Sequence, residues 1–155
     1  MRVTAMLVLF SAVLAADVNA QGDAAKRLVG TWRLVDINSG TDPNRGPRPT
    51  GLIIYDANGN MAVQIQPDRP RAKYAAAQPT PDEAKAAITG YTAYFGRYTI
   101  DEKAGTVTHI RSGNLNPGGI DSVVRRYEFV GADRVVLRPV ESKNVLTWER
   151  VKPHH

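Results

Sequence analysis

Gly30-Thr31-Trp32-Arg33-Leu34-Val35 begins the first strand-like stretch of the chain, and Val145-Leu146-Thr147-Trp148-Glu149-Arg150 forms the last one. Between them the residue pattern predicts six further strands, most of them joined as hairpins. Such a series leaves two unpaired sheet edges unless it closes on itself. The sequence therefore predicts an all-β fold, a single eight-stranded up-and-down antiparallel barrel.

Alternation and turn residues give the strand positions. Met61, Val63 and Ile65 alternate with polar or small residues, which predicts one buried face. Asp56-Ala57-Asn58-Gly59 predicts a hairpin turn, because Asn-Gly supplies the positive φ angles that such turns require. In chain order the predicted strands are Thr31–Ile37, Leu52–Tyr55, Met61–Gln66, Thr92–Asp101, Thr106–Ser112, Ser122–Phe129, Arg134–Arg138 and Asn144–Val151.

One short helix is predicted in the loop between the third and fourth strands. Thr80 can cap its first turn, Pro81 suits the first helical position, and Glu83 stands where a capping box requires an acid. We expect the helix to run to about Ile88 and to stop near Gly90. The segment from Asp23 to Leu28 is interpreted as a short polar lead into the first strand.

Residues 1–20 have the pattern of a secretory signal peptide. Arg2 precedes an apolar run from Ala5 to Ala16, and the compact residues Val18 and Ala20 favour cleavage before Gln21. The apolar run is shorter than the ~20 residues that a transmembrane helix needs. We therefore expect no membrane anchor after signal cleavage, and a periplasmic or secreted protein.

Composition narrows the function classes. Residues 21–155 are enough for one domain, the barrel. The chain has a formal net charge of +5, but no basic motif gathers that charge, so we expect no nucleic-acid partner. The absence of cysteine excludes disulfides, cysteine metal sites and a cysteine nucleophile. Nothing in the sequence indicates an oligomeric state.

Loop lengths predict an open and a closed end of the barrel. Alternate loops of an up-and-down barrel share an end, and the long loops fall at one end while the tight turns fall at the other. The predicted open mouth carries the basic residues Arg45, Arg48, Arg69, Arg71 and Lys73. The predicted closed end carries the acidic residues Asp56, Asp101, Glu102 and Asp133. This polarity is either a scatter of solubilising charges or a funnel for an anionic ligand.

Several stretches of the chain together resemble the bacterial lipocalin-like domain family. The resemblance implies a calycin-type barrel with an internal cavity for a small, largely apolar molecule. It also implies that Arg150 packs over Trp32 at the closed end. The stretches that carry it are Gly30–Val35, Thr50–Tyr55, Pro67–Arg71, Tyr91–Tyr98, Gly105–His109, Val124–Tyr127 and Leu146–Arg150.

A candidate site is predicted on one face of three neighbouring strands. The expected register pairs Ile100 with Val107 and Arg111 with Val123, which places Tyr98, His109 and Arg125 in one row. This face is more apolar than the opposite face, so we expect it to line the barrel interior. The candidate ligand-binding residues on it are Arg125, His109, Tyr98, Tyr94, Arg111 and Tyr127.

These side chains suggest two kinds of chemistry. Arg125 could bind a carboxylate or enolate in a bidentate fashion, with single hydrogen bonds from Tyr98 or His109. A neutral His109 could also transfer a proton, so His109 and Tyr98 are the catalytic candidates. Alternatively, Arg125 is paired with a carboxylate and His109 is a core residue whose hydrogen bonds are satisfied.

Other site classes lack their motifs. The sequence has no Gly-x-Ser-x-Gly, no phosphate-binding glycine loop and no metal-binding helix motif, and we expect no cofactor and no metal. The leading hypothesis is an exported protein that binds a small hydrophobic or aromatic ligand with an acidic head group. The alternative is a small-molecule isomerase, cyclase or lyase that uses His109 and Tyr98. A third hypothesis is a structural protein with a filled core and no cavity.

Overall fold

The computed structural model describes residues 22–37, 43–119 and 121–152, so the predicted signal peptide lies outside the described residues. The described strands form a closed barrel in which each strand pairs with its neighbours in sequence and the last pairs with the first. The predicted eight-stranded up-and-down antiparallel barrel is confirmed. The strands are β1 Gly30–Ile37, β2 Thr50–Tyr55, β3 Asn60–Gln66, β4 Thr92–Asp101, β5 Thr106–Asn114, β6 Ser122–Val130, β7 Arg134–Pro139 and β8 Leu146–Arg150.

Alternation along each strand produces the core. In β3 the side chains of Met61, Val63 and Ile65 are buried, as the period of two predicts. The hairpin turn before β3 has Gly59 at φ +84°, which confirms the predicted Asn-Gly turn. Both ends of β4 match the prediction, whereas β8 is shorter than predicted at both ends.

The helix predicted between the third and fourth strands is α2, Pro81–Ile88. The Thr80 hydroxyl accepts from the Glu83 N–H, and the Glu83 carboxylate accepts from the Thr80 N–H in return. This is the predicted capping box, which satisfies two N–H groups that the first helical turn leaves unpaired. Gly90 follows the helix with φ +74°, where a residue with a Cβ would be strained.

A second helix, α1 (Asp23–Leu28), was not predicted, because the sequence presented it as a polar lead. It covers the closed end of the barrel. Trp32 Nε1 donates to the Leu28 carbonyl oxygen at 2.8 Å, and Arg150 donates to the carbonyl oxygens of Val29 and Arg27 at 2.8 Å and 2.5 Å. Six residues are too few for a stable isolated helix, so these tertiary contacts hold it in place.

The predicted packing of Arg150 over Trp32 is confirmed, with the guanidinium carbon 4.1 Å from the ring centroid. The same guanidinium that covers the ring also binds the carbonyls at the end of α1. Two turns at this end contact the helix as well, because Ala24 N–H donates to Glu102 and Arg27 donates to the Gly131 carbonyl oxygen. The closed end is therefore sealed by hydrogen bonds in addition to apolar packing.

The register of the strands that carry the candidate row was predicted in part. Tyr98 pairs with His109, and Ile100 with Val107, as expected. The expected pairing of Arg111 with Val123 is wrong, because Val123 pairs with His109 and Arg125 pairs with Val107. The register differs by two residues, which preserves the inward face but removes Arg125 from the row. Alternation cannot distinguish registers that differ by two, and the loop before β6 has no turn motif to set one.

A bulge between Phe95 and Gly96 interrupts the pairing of β4 with β5. Gly96 is buried on the inward face between Tyr94 and Tyr98, and a Cβ there would lie 2.0 Å from the Ile110 carbonyl oxygen. The two backbones therefore approach each other at a point where only glycine fits. The inward position between the two tyrosines consequently carries no side chain.

We expect Arg150→Met to lower the free energy of unfolding by about 1–3 kcal/mol, because it removes two hydrogen bonds and the cation–π contact while keeping an apolar stem. Arg134→Met is the matched control. Arg134 is exposed and its nitrogen is 3.9 Å from the Glu149 carboxylate, so its loss should change stability by less than about 0.5 kcal/mol. Urea denaturation measures both, and equal losses would contradict the assigned role of Arg150.

Candidate functional site

A cavity of about 140 Å³ lies inside the barrel toward its open end. Its apolar wall is formed by Ile53, Val63, Ile65, Leu137, Pro139 and Leu146. Its polar lining residues are Arg45, Thr92, Tyr94, Arg125, Asn144 and Trp148. A cavity of about 150 Å³ can hold one benzene ring. The filled-core hypothesis, which predicts no cavity, does not fit this finding.

Arg125 brings a positive charge into the cavity from β6. Its guanidinium carbon is 6.0 Å from the Tyr94 ring centroid, and its Nη1 makes one long contact of 3.5 Å with the Val123 carbonyl oxygen of its own strand. Within residues 22–37, 43–119 and 121–152, no carboxylate forms a salt bridge with Arg125. The alternative in which a protein carboxylate neutralises this arginine therefore has no support in the described part of the chain.

Trp148 lines the cavity but is not among the site residues predicted from the sequence. It lies on the inward face of β8, two residues before Arg150, and is 1% exposed. Its indole N–H has no hydrogen-bond partner in the described part of the chain, whereas the indole N–H of Trp32 is paired with the Leu28 carbonyl oxygen. A buried donor without a partner costs about 1–3 kcal/mol. An acceptor placed in the cavity would remove that cost.

The basic residues predicted at the barrel mouth make different kinds of contact. Arg45 lines the cavity and donates to the Thr92 hydroxyl at 2.9 Å. Arg69 and Arg71 instead donate to carbonyl oxygens at the end of α2, and Arg71 also lies over the Tyr91 ring. Arg48 is 3.7 Å from the Asp68 carboxylate. Part of the predicted basic funnel therefore holds α2 against the barrel.

His109 is fully buried and does not line the cavity. Its Nε2 is 2.7 Å from the Tyr55 hydroxyl oxygen, and its Nδ1 is 2.9 Å from the Tyr94 hydroxyl oxygen. Burial, with smaller contributions from Arg125 and Arg111, holds the pKa of His109 well below its usual value. The side chain is therefore neutral near pH 7, with both ring nitrogens hydrogen-bonded. This geometry corresponds to the satisfied core residue considered above.

The other candidates divide between the cavity and its surroundings. Tyr94 lines the cavity, and burial raises its pKa, so its hydroxyl stays protonated. Tyr98 donates to the Asp56 carbonyl oxygen at 2.7 Å, in the β2–β3 turn. Arg111 binds the backbone oxygen and carboxylate of Asp121 at 2.8 Å and 3.0 Å. Of the six predicted site residues, the structure brings Arg125 and Tyr94 to the cavity.

Tyr127 is half-buried and packs against Phe129, with ring centroids 5.5 Å apart. Burial, followed by the negative charges of Glu102 and Asp101, raises its pKa. Asp101 ends β4 and Glu102 follows it in the β4–β5 turn, at the closed end of the barrel. Tyr127 is therefore distant from the cavity mouth and packs in the opposite half of the barrel.

A larger groove of about 590 Å³ lies outside the barrel, between the chain from Gln66 to Tyr74 and helix α2. Its arginines, Arg69 and Arg71, already donate to helix carbonyls. Its one acid, Glu83, accepts from the backbone of Thr80 and Ala75. The groove is larger, and the buried Nε of Arg69 has no hydrogen-bond partner in the described part of the chain. The barrel cavity differs in placing two donor residues, Arg125 and Trp148, opposite an apolar wall.

The cavity is suited to an acceptor rather than to a metal. Among the described residues, its polar lining offers guanidinium, indole and phenol donors and contains no carboxylate, imidazole or thiol. No group of three or more His, Cys, Asp or Glu side chains that could hold a metal ion occurs in the described ranges. Of the helices in the described ranges, none has the length and apolar character needed to cross a membrane.

The family described as a lipocalin-like domain matches residues 29–151. The match begins just before β1 and ends just after β8, so it covers the whole barrel. No curated protein matches the chain significantly.

We expect acidification to destabilise the protein through His109. The folded state holds its pKa well below the unfolded value of about 6.5, so below that pH the unfolded state binds more protons and the free energy of unfolding falls. The slope contributed by this residue reaches about 1.4 kcal/mol per pH unit. His109→Gln removes the titrating group, and urea denaturation between pH 7.5 and 5 should show a weaker pH dependence. Parallel curves for the two proteins would contradict a neutral, buried His109.

Proposed function

The chain belongs to the lipocalin-like domain family, and on that premise we propose that it is an exported binding protein whose barrel cavity takes a small aromatic or apolar carboxylic acid. The family's barrel indicates binding of a small molecule. The observation that carries the finer proposal is that the Trp148 indole N–H and the Arg125 guanidinium share one cavity, while among the described residues the first has no hydrogen-bond partner and the second no ion pair.

An anion suits this cavity better than a neutral acceptor. A guanidinium that is partly withdrawn from water is stabilised by an opposite charge, and its fork of N–H groups matches the two oxygens of a carboxylate. Hydrogen bonds to a charged acceptor are also stronger than those between neutral groups. A carboxylate that contacts Arg125 and Trp148 would supply the acceptors that the described part of the chain lacks.

The remainder of the ligand must be small and apolar. The wall opposite the donors is aliphatic, and the volume of about 140 Å³ corresponds to one ring. Burial of that ring contributes roughly 25 cal/mol for each Å² of apolar surface removed from water. Arg45 at the mouth adds a second positive charge along the path of an incoming anion.

The enzyme alternative gains no specific support. His109 and Tyr98 do not line the cavity, and the polar atoms of both side chains already have hydrogen-bond partners within the protein. Proton transfer to an enclosed substrate requires a group within hydrogen-bond reach of it. The alternative remains a prediction from sequence.

Benzoate is the probe of choice, because it combines one ring with one carboxylate. We expect isothermal titration calorimetry to detect benzoate binding, and benzyl alcohol to bind more weakly because it lacks the charge. Arg125→Gln and Trp148→Phe should each weaken benzoate binding by about 10- to 100-fold, the effect of losing a hydrogen bond to a charged group.

Arg126→Gln is the matched control for this experiment. Arg126 is exposed and adjacent to Arg125, with its side chain on the outer face of β6, so its loss should leave benzoate affinity unchanged. Equal binding of benzoate and benzyl alcohol would contradict the proposed acid specificity. Unchanged benzoate affinity in Arg125→Gln would contradict the proposed site.

The proposed export is supported by the pattern of residues 1–20. When the full chain is expressed in a bacterial host, we expect a mature species beginning at Gln21 in the periplasm or the medium, identified by intact mass. Leu9→Asp interrupts the apolar run and should leave an uncleaved species in the cytoplasm. An uncleaved wild-type chain in the cytoplasm would argue against export.

A further inference from the structure

Three buried side chains form a continuous hydrogen-bond chain beneath the cavity. We name Tyr55, His109 and Tyr94 the tyrosine–histidine chain, with distances of 2.7 Å from Tyr55 to Nε2 and 2.9 Å from Tyr94 to Nδ1. Tyr55 is 1% exposed and His109 is 0% exposed. Tyr94 is the member that lines the cavity. The chain therefore connects the deep core with the cavity.

The tyrosine–histidine chain has one more donor hydrogen than it has internal hydrogen bonds. A neutral imidazole carries one N–H, and each tyrosine carries one O–H, which makes three donors for two hydrogen bonds. In one arrangement Tyr55 donates to Nε2, Nδ1 donates to Tyr94, and the Tyr94 hydroxyl hydrogen is left over. In the reverse arrangement the Tyr55 hydroxyl hydrogen is left over. The two arrangements have opposite histidine tautomers.

The surroundings favour the arrangement that points toward the cavity. Around Tyr55, the structure records one hydrogen-bond partner for the hydroxyl, His109, and the Tyr98 ring packs edge-on with its centroid 4.9 Å away. A leftover hydroxyl hydrogen at Tyr55 would be buried without an acceptor among the described residues, which is costly. A leftover hydrogen at Tyr94 can instead reach an acceptor in the cavity.

We propose that Tyr55 and His109 are positioning residues for Tyr94. Tyr55 holds His109 as the Nδ1–H tautomer, and His109 thereby makes the Tyr94 hydroxyl a donor into the cavity. The inference rests on the proposed function and refines its ligand. Tyr94, Trp148 and Arg125 then present three donors of different geometry to one acidic group. Because the Tyr94 oxygen already accepts from His109, a ligand that offers a donor at that point leaves two donors facing each other and binds poorly.

The tautomer can be measured without any ligand. In protein labelled with ¹⁵N-histidine, two-bond ¹H–¹⁵N correlation spectra distinguish the Nδ1–H form from the Nε2–H form, and His109→Gln assigns the resonances. We expect a neutral ring with its hydrogen on Nδ1 at pH 7. A hydrogen on Nε2 would overturn the inference.

Tyr55→Phe tests whether the buried end of the tyrosine–histidine chain affects ligand binding in the cavity. It removes the donor to Nε2 while keeping the ring, so the preference for the Nδ1–H tautomer should disappear. Benzoate affinity should fall about threefold to tenfold, although Tyr55 does not line the cavity. An unchanged tautomer together with unchanged affinity would overturn the inference.

Tyr98→Phe is the matched control, because the Tyr98 hydroxyl donates to the Asp56 carbonyl oxygen and takes no part in the tyrosine–histidine chain. It should change neither the tautomer nor benzoate affinity. Loss of stability without a change of tautomer in Tyr55→Phe would indicate a purely structural role and overturn the inference. Thermal unfolding of each variant establishes that it is folded.

The outcomes separate this inference from the proposed function. An Nδ1–H tautomer in a protein that does not bind benzoate would support the proposed direction of the hydrogen bonds in the tyrosine–histidine chain and overturn the proposed function. Benzoate binding that depends on Arg125 in a protein with an Nε2–H tautomer would support the proposed function and overturn the inference. Benzoate binding together with the Nδ1–H tautomer supports both.

Discussion

The antiparallel pairing of β1 with β8 is the constraint on which the rest of the structure depends, because it converts a meandering sheet into a closed barrel. It places Arg150 opposite Trp32, where one guanidinium covers the indole ring and binds the carbonyls at the end of α1. The same pairing turns Trp148 inward, one inward position further from the closed end. The closed end and one wall of the cavity therefore have a common origin.

The hydrogen bonding of buried polar groups differs between the two ends of the barrel. At the closed end the Trp32 N–H is bonded to the Leu28 carbonyl, and at mid-barrel His109 is bonded by two tyrosines. Toward the mouth, the Trp148 N–H lacks a partner in the described part of the chain. Because unpaired buried donors are rare in folded proteins, one on a residue that lines a cavity indicates where a ligand completes the structure.

The candidate site was only partly predictable. Alternation placed Tyr94, His109 and Arg125 on the inward face, and that holds because a register error of two residues keeps the face. Alternation does not give the position of a residue along the barrel axis, so His109 and Tyr98 were assigned to a cavity that they do not line. Trp148 was overlooked because its significance lies in a missing hydrogen bond, which becomes visible only when its neighbours are known.

The sequence alone determined the features that arise from local interactions: the strands, the Asn-Gly turn, the capping box of α2 and the closed antiparallel topology. Tertiary structure decided the formation of α1, the register of β5 with β6, and which inward side chains meet the cavity. The physical reason is the range of the forces. Propensity, capping and alternation act over a few residues, whereas α1 is held by Trp32 and Arg150, and the cavity by side chains from distant strands.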